Sequence, residues 1–185
     1  MMNRLASPDQ LRASLLRWAL FLVPLVLLLG YGSGAVAGSA ANNPWFAQLQ
    51  KPAIYPPAIT FPIVWTILYA MMGLAFAAIC SAWGSRGRGV AIAVFIAQFA
   101  LNLVWSPVFF ALHQLELALG ILLALDVLVA LCVVLFLRIR RWAGLLLVPY
   151  LAWVLFATLL SWQLWQLNPD ASGTEPATGV QRFEL

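Results

Sequence analysis

Few side chains in this sequence are equipped for chemistry, and most of those lie inside long apolar runs. Gln98, Asn102 and Trp105 follow one another at i, i+4 and i+7, which puts two amides and an indole on one helical face. Trp65, Tyr69 and Met72 repeat that spacing on another run, and Trp153 lies near the middle of a third. Amides surrounded by hydrocarbon need partners, because an unsatisfied polar group there costs several kcal/mol. Two roles compete for Gln98 and Asn102: hydrogen bonding between helices, or orienting the polar atoms of a ligand. Asp126 falls near the centre of another apolar run, where an ionisable group is costly. It either hydrogen-bonds within the packing, with Gln98 or Ser161 as partner, or belongs to a proton or substrate path. His113 is the only histidine, so no Ser/His/Asp set can be assembled. It reads as interfacial structure or, alternatively, as a neutral imidazole ligand to haem iron. Cys80 and Cys132 sit in apolar runs without CxxC spacing and read as small core residues, and no metal site is expected.

The elements that must position these residues follow from composition. Of 185 residues, 64% are hydrophobic and 9% charged, against about 25% charged in a soluble domain. Five apolar runs, 15–37, 61–82, 90–112, 115–137 and 142–165, are each long enough to cross about 30 Å of hydrocarbon as a helix. The expected fold is an all-α membrane protein, a five-transmembrane-helix bundle occupying residues 1–168. No soluble domain of about 100 residues remains beside it, which excludes a receptor with an extramembrane catalytic domain. The connections after the third and fourth runs are only a few residues long, so the last three spans are expected to be antiparallel neighbours.

Charge sets direction. Arg4, Arg12, Arg17, Arg86, Arg88, Arg138, Arg140 and Arg141 gather on one side, whereas Lys51 and the remote Arg182 are on the other. This bias predicts a cytoplasmic N-terminus, an outer C-terminus and a bacterial inner membrane. The net charge of +4 is therefore topological, and no nucleic-acid partner is implied. The first run has a rival reading as a signal peptide, with Ala35-Val36-Ala37 resembling a cleavage site. Against it, the apolar stretch is longer than a signal core, and Gly30, Gly32 and Gly34 read as a small-residue face for close helix packing.

Nine tryptophans need explaining. Trp18, Trp83, Trp142, Trp162 and Trp165 lie at span ends and fit an aromatic belt at headgroup depth. Trp65, Trp105 and Trp153 lie deeper and are candidates for an interior site, with Trp65 and Trp105 in the outer half. The long outer loop, 38–60, contains Asn42, Asn43, Pro44, Trp45, Phe46, Lys51-Pro52 and Tyr55-Pro56-Pro57. Its prolines stiffen it and its aromatics give it material to fold onto the bundle, as a lid or simply as a stiff connector. The tail, 169–185, is rich in Gly, Pro, Ser and Thr and is expected to be disordered.

At this point the chain resembles the tryptophan-rich sensory protein and translocator protein family, TspO/MBR. The resemblance runs over residues 24–168 and is carried by Trp45 with Leu49-Gln50-Lys51-Pro52 and Pro56-Pro57, and by Val64-Trp65 with Leu68-Tyr69. It continues through Gln98, Asn102, Trp105 and Pro107 with Phe109-Phe110, then Pro149-Tyr150-Leu151-Ala152-Trp153, and ends with Trp165 and Asn168. It implies a five-helix membrane protein, often a homodimer, that binds porphyrins such as protoporphyrin IX or haem without an obligatory cofactor. Some members also take sterols or synthetic isoquinoline and benzodiazepine ligands. The family pocket lies inside the bundle below the first long loop, so Trp45, Trp65, Tyr69, Asn102, Trp105 and Trp153 become the expected ligand-binding set. Trp65 and Trp153 match the tryptophans implicated in light-dependent porphyrin breakdown. Asp126 and Gln98 remain proton or packing candidates. Three departures stand out: Ile54 where the family often has an aromatic, Leu160-Ser161 where it often has Leu-Asn, and Trp162, Gln163 and Gln166 where animal members carry a sterol motif. A sterol is accordingly not the expected ligand. The reading is a porphyrin-binding membrane receptor in tetrapyrrole or stress regulation; the alternative is a small-molecule transporter or efflux carrier.

Overall fold

The computed structural model describes residues 8–38 and 43–174. Five long helices account for the five apolar runs: α1 (Pro8–Val36), α3 (Thr60–Cys80), α4 (Arg88–Ser106), α5 (Leu115–Ile139) and α6 (Arg141–Leu167). A short helix, α2 (Pro44–Gln48), lies in the connection between α1 and α3. No strand occurs among the described residues. All five long helices are long and apolar enough to cross a membrane, and the protein is an all-α, multi-pass membrane protein. Large apolar side chains such as Leu16, Leu20, Phe21, Ile67, Ile96, Leu123 and Val127 point outward, as a lipid-facing surface requires.

The helices close into a ring in the order α1, α3, α6, α5, α4, with α4 returning to α1. The α4, α5 and α6 neighbours are those that the short connections dictate; between α5 and α6 a single extended residue, Arg140, makes the turn. At the basic end, Arg88 donates to the terminal carbonyls of Ile79 (3.1 Å) and Cys80 (2.8 Å) and lies over the Trp83 ring, closing the C-terminus of α3. At the other end, α4 runs on into a wide π-helical turn, Pro107–Ala111. Pro107 has no N–H to return to the Leu103 carbonyl four residues back, and the Ser33 hydroxyl of α1 donates to that carbonyl instead.

The half of the bundle nearer the basic end is solid. Phe76, Phe95 and Phe136 stack through it, with Phe76 and Phe95 only 4.0 Å apart. Met72, Ala75, Ile79 and Val129 are completely buried around them. Close approach of α1 to α3 is made at Gly73, where a Cβ would meet the Val23 Cα at 2.7 Å. The expected packing face holds at Gly30, where a Cβ would run into the Tyr69 ring of α3, and is corrected at Gly32, which has open space around it; Gly30 and Gly34 also line a cavity. The tail is also corrected in part. Residues 169–174 turn back over the bundle, with Gly173 N donating to the His113 carbonyl (2.8 Å), whereas 175–185 lie outside the described residues.

Because Gly73 abuts backbone, Gly73→Ala should lower the thermal unfolding midpoint in detergent by an amount equivalent to about 1–3 kcal/mol. Gly120→Ala, with nothing within 4 Å of its Cβ, serves as the control and should leave the midpoint nearly unchanged. Equal midpoints for both variants would contradict the packing described.

Candidate functional site

Polar side chains inside the bundle are joined first. Tyr150, fully buried on α6, donates to Gln98 Oε1 (3.0 Å) and accepts from Asn102 Nδ2 (3.2 Å), both on α4. Tyr69 on α3 donates to Asn102 Oδ1 (3.1 Å). The amide stripe therefore fastens three helices together, and Gln98 and Asn102 are interhelical hydrogen-bonding residues. Tyr150 is the member that sequence spacing did not single out; a tyrosine in the middle of an apolar span, needing a partner for its hydroxyl, was the available signal.

Above this network, toward the end that carries the 37–59 connection, the ring of helices opens into a cavity of about 680 Å³. Trp65 and Tyr69, stacked 5.0 Å apart, form one wall; Trp105 and Phe109, stacked at the same distance, form another. Trp153, Ala157, Leu160 and Ser161 on α6 form a third, and Gly30, Tyr31 and Gly34 on α1 form a fourth. Tyr31 is held across to α3 by its hydroxyl, which meets Thr66 Oγ1 and the Pro62 carbonyl.

The roof is the stiff connection. Asn43 caps α2, its Oδ1 accepting from Phe46 N (2.9 Å) while its Nδ2 donates to Phe110 O (3.3 Å) on the π-helical turn. Lys51 Nζ donates to the carbonyls of Phe46 (2.9 Å) and Leu49 (3.1 Å) and lies over the Phe46 ring, closing the other end of α2. Phe46, Tyr55 and Phe61 continue in tilted contacts down to Trp153, which Phe61 meets edge to face, so lid and wall form one aromatic surface. Burial pushes the Tyr55 phenol above its ordinary value, so it stays a neutral hydroxyl through the physiological range. The lid is also strapped to the end of α6. Asn168 Oδ1 accepts from Gln50 N (2.8 Å), and its Nδ2 donates to Gln50 O (3.0 Å) and Leu164 O (2.8 Å).

Of the expected ligand-binding set, Trp65, Tyr69, Trp105 and Trp153 converge on the cavity. Asn102 reaches only a gap of about 20 Å³ beneath it. Trp45 does not reach it: the ring is buried behind the lid, stacked on His113 (4.5 Å) with its Nε1–H donated to Ala171 O (3.3 Å). His113 is engaged in that stack at a positive φ and does not line the cavity, which removes the geometric ground for iron ligation there. Asp126 is also off the cavity, and its partner is neither Gln98 nor Ser161; the Thr158 hydroxyl donates to its Oδ2 (2.8 Å). Gln98 is taken by Tyr150 and Ser161 lines the cavity, leaving the α6 threonine as the available group. A proton path through Asp126 consequently has no opening onto the cavity. Phe61, Phe109, Phe110, Tyr31 and Ser161 line the site without having been expected there.

Five spanning helices around an aromatic cavity with a strapped lid define a small helical membrane protein of the sensor and translocator class. The TspO/MBR family profile matches residues 21–166, and the chain belongs to that family. It is similar to the tryptophan-rich sensory protein of Cereibacter sphaeroides, 38% identical over 152 residues, covering 82% of this chain and 92% of the relative. The tryptophan-rich protein TspO of Chlorobaculum tepidum is 37% identical over 148 residues, covering 80% and 93%. The translocator protein of Homo sapiens is 35% identical over 139 residues, covering 74% and 81%.

Two variants probe the scaffold of the site. Tyr150→Phe leaves Asn102 and Gln98 short of a partner and should destabilise the protein by about 1–2 kcal/mol, read by thermal or denaturant unfolding in detergent. A wild-type midpoint would show that the network carries no weight. Asn168→Ala should raise amide hydrogen exchange across 43–51 while leaving exchange around Tyr150 as it was; an unchanged lid would mean that the strap does not hold it.

Proposed function

We propose that this protein is a membrane receptor for porphyrins of the protoporphyrin IX class, acting in tetrapyrrole or stress regulation. The observation that supports this reading is the cavity: about 680 Å³, aromatic on most sides and roofed by an ordered lid. Its size lies within the ~300–1,000 Å³ of small-molecule sites. A flat, largely apolar macrocycle suits walls made of ring faces, and the indoles of Trp65 and Trp153 would abut it. Such contacts contribute about 0.5–1.5 kcal/mol each beyond area burial. Lys51 is the one cation among the described residues of the cavity lining, and it supplies a counter-charge for a propionate at the rim. In this reading Trp65 and Trp153 would be the redox partners in a light-dependent breakdown of bound porphyrin. In the same reading the basic end of the bundle faces the cytoplasm across a bacterial inner membrane, and the protein pairs as a homodimer.

Titration of purified protein with protoporphyrin IX tests the proposal. Saturable quenching of tryptophan fluorescence is expected, with weaker affinity in Trp65→Phe/Trp153→Phe. Non-saturable quenching, equal in both proteins, would mean that the porphyrin merely partitions into detergent and would overturn the reading.

A further inference from the structure

Thr66, Ser81, Thr158 and Ser33 each commit their hydroxyl to a bond within the protein. Thr66 donates to Pro62 O (2.6 Å), Ser81 to Ala78 O (3.0 Å) and Thr158 to Val154 O (3.0 Å) or Asp126; Ser33 reaches across to Leu103 O. Ser161 behaves differently. It is 2% exposed, its Oγ is buried with no hydrogen-bond partner, and it lines the cavity. It makes no back-bond to the carbonyl one turn earlier, although in an apolar helix that bond is the cheapest way to satisfy a serine. Trp105 on α4 is in the same position: its Nε1 is buried without a partner, and the residue lines the same cavity. An indole N–H donates only, and a serine hydroxyl can donate as readily as accept. Two helices thus contribute, to the lining of one mostly apolar chamber, two residues whose donors are uncommitted and covered in the empty protein.

An unpaired donor in such surroundings costs free energy in the empty protein and is repaid when a ligand brings an acceptor. Resting on the reading of the cavity as a porphyrin site, we infer that Ser161 and Trp105 form a donor site that selects ligands carrying a neutral acceptor oxygen, of the carbonyl or ester class, on the planar ring. This is separate from the charge supplied by Lys51 at the lid. Ser161 is a specificity-determining residue in this scheme, and its hydroxyl contributes to ligand discrimination rather than to folding.

Three matched probes separate the contributions: mesoporphyrin IX, its dimethyl ester, and etioporphyrin, which share the macrocycle and small alkyl groups. The diacid has charge and acceptors, the ester has neutral acceptors only, and etioporphyrin has neither on its periphery. Soret-band titrations should show wild-type protein preferring the ester to etioporphyrin. In Ser161→Ala that preference should shrink by about three- to tenfold, the worth of one hydrogen bond, with etioporphyrin affinity unchanged or tighter. Trp105→Phe should act in the same direction. The thermal midpoint of ligand-free Ser161→Ala should be equal to or above wild type, because a buried unpaired hydroxyl has been removed. Saturable binding with equal affinity for ester and etioporphyrin in wild type overturns this inference alone. A lowered midpoint with an unchanged preference does the same by making the hydroxyl structural. No saturable binding of any of the three overturns the inference together with the porphyrin reading.

Discussion

The hydroxyl of Tyr150 is completely enclosed, and its bonds to Asn102 and Gln98 fix α6 against α4 at one depth, with Tyr69 bringing α3 to the same point. In an apolar interior helices slide and rotate against one another at little cost, because one methyl face packs much like another. A four-residue polar network permits only one register. That register divides the bundle into a solid part, where Phe76, Phe95 and Phe136 stack, and an open part, where Trp65, Trp105 and Trp153 stand back from one another. The network is therefore the floor of the cavity, and the aromatic walls hold their positions because the helices that carry them are pinned just below.

The roof is stabilised by different physics. A connection of this length has many backbone groups to satisfy, and α2 solves this with side chains at both of its ends, Asn43 at the start and Lys51 at the finish. Asn168 then pairs with both backbone groups of Gln50, which ties the lid to the last helix as well as to the first. Trp45 and His113 stack behind the lid and leave the cavity face to Phe46 and Tyr55. The lid is a folded element whose Trp45 and Leu49 share a small core with Val108, Phe109, Leu115, Leu160 and Leu164 of the bundle.

How much of this was legible in the sequence depends on the kind of constraint. The five spans were, because hydrocarbon thickness sets a length that the apolar runs meet within a few residues at most ends; α1 is the exception and extends back to Pro8. Facing along one helix was also legible: Trp65 with Tyr69, and Gln98 with Asn102, do share sides. Partners between helices were not. Periodicity says which residues look the same way and nothing about what they meet, so Asp126 was matched to Gln98 or Ser161 when the partner is Thr158, three residues before Ser161 on the same helix. Gly73 was passed over for the more conspicuous Gly30, Gly32 and Gly34, because only the approach of Val23 makes a glycine necessary there. Trp45 was expected to meet ligand since it sits in the lid, but a five-residue helix has two faces and spacing alone does not say which one points down. The turn at 169–174 escaped because a polar, glycine-containing tail is held here by bonds from its backbone to the His113 carbonyl and the Trp45 indole that composition does not encode.

A chain with 9% charged residues has little polar material to distribute, and its placement separates two tasks. Several groups needed for architecture are fully engaged: Asn102 is bonded on both sides, Asn168 makes three bonds, and Arg88 closes a helix end. Had the cavity walls been built the same way, they would have had nothing left with which to distinguish one flat apolar molecule from another, since stacking on a ring face is indifferent to peripheral substituents. Discrimination requires donors that the fold has not already used, and an unused donor is tolerable only where the network below has already secured stability. The bonded floor at Tyr150 and the open wall at Ser161 are in this sense one arrangement: the first holds the helices in the register that lets the second remain open.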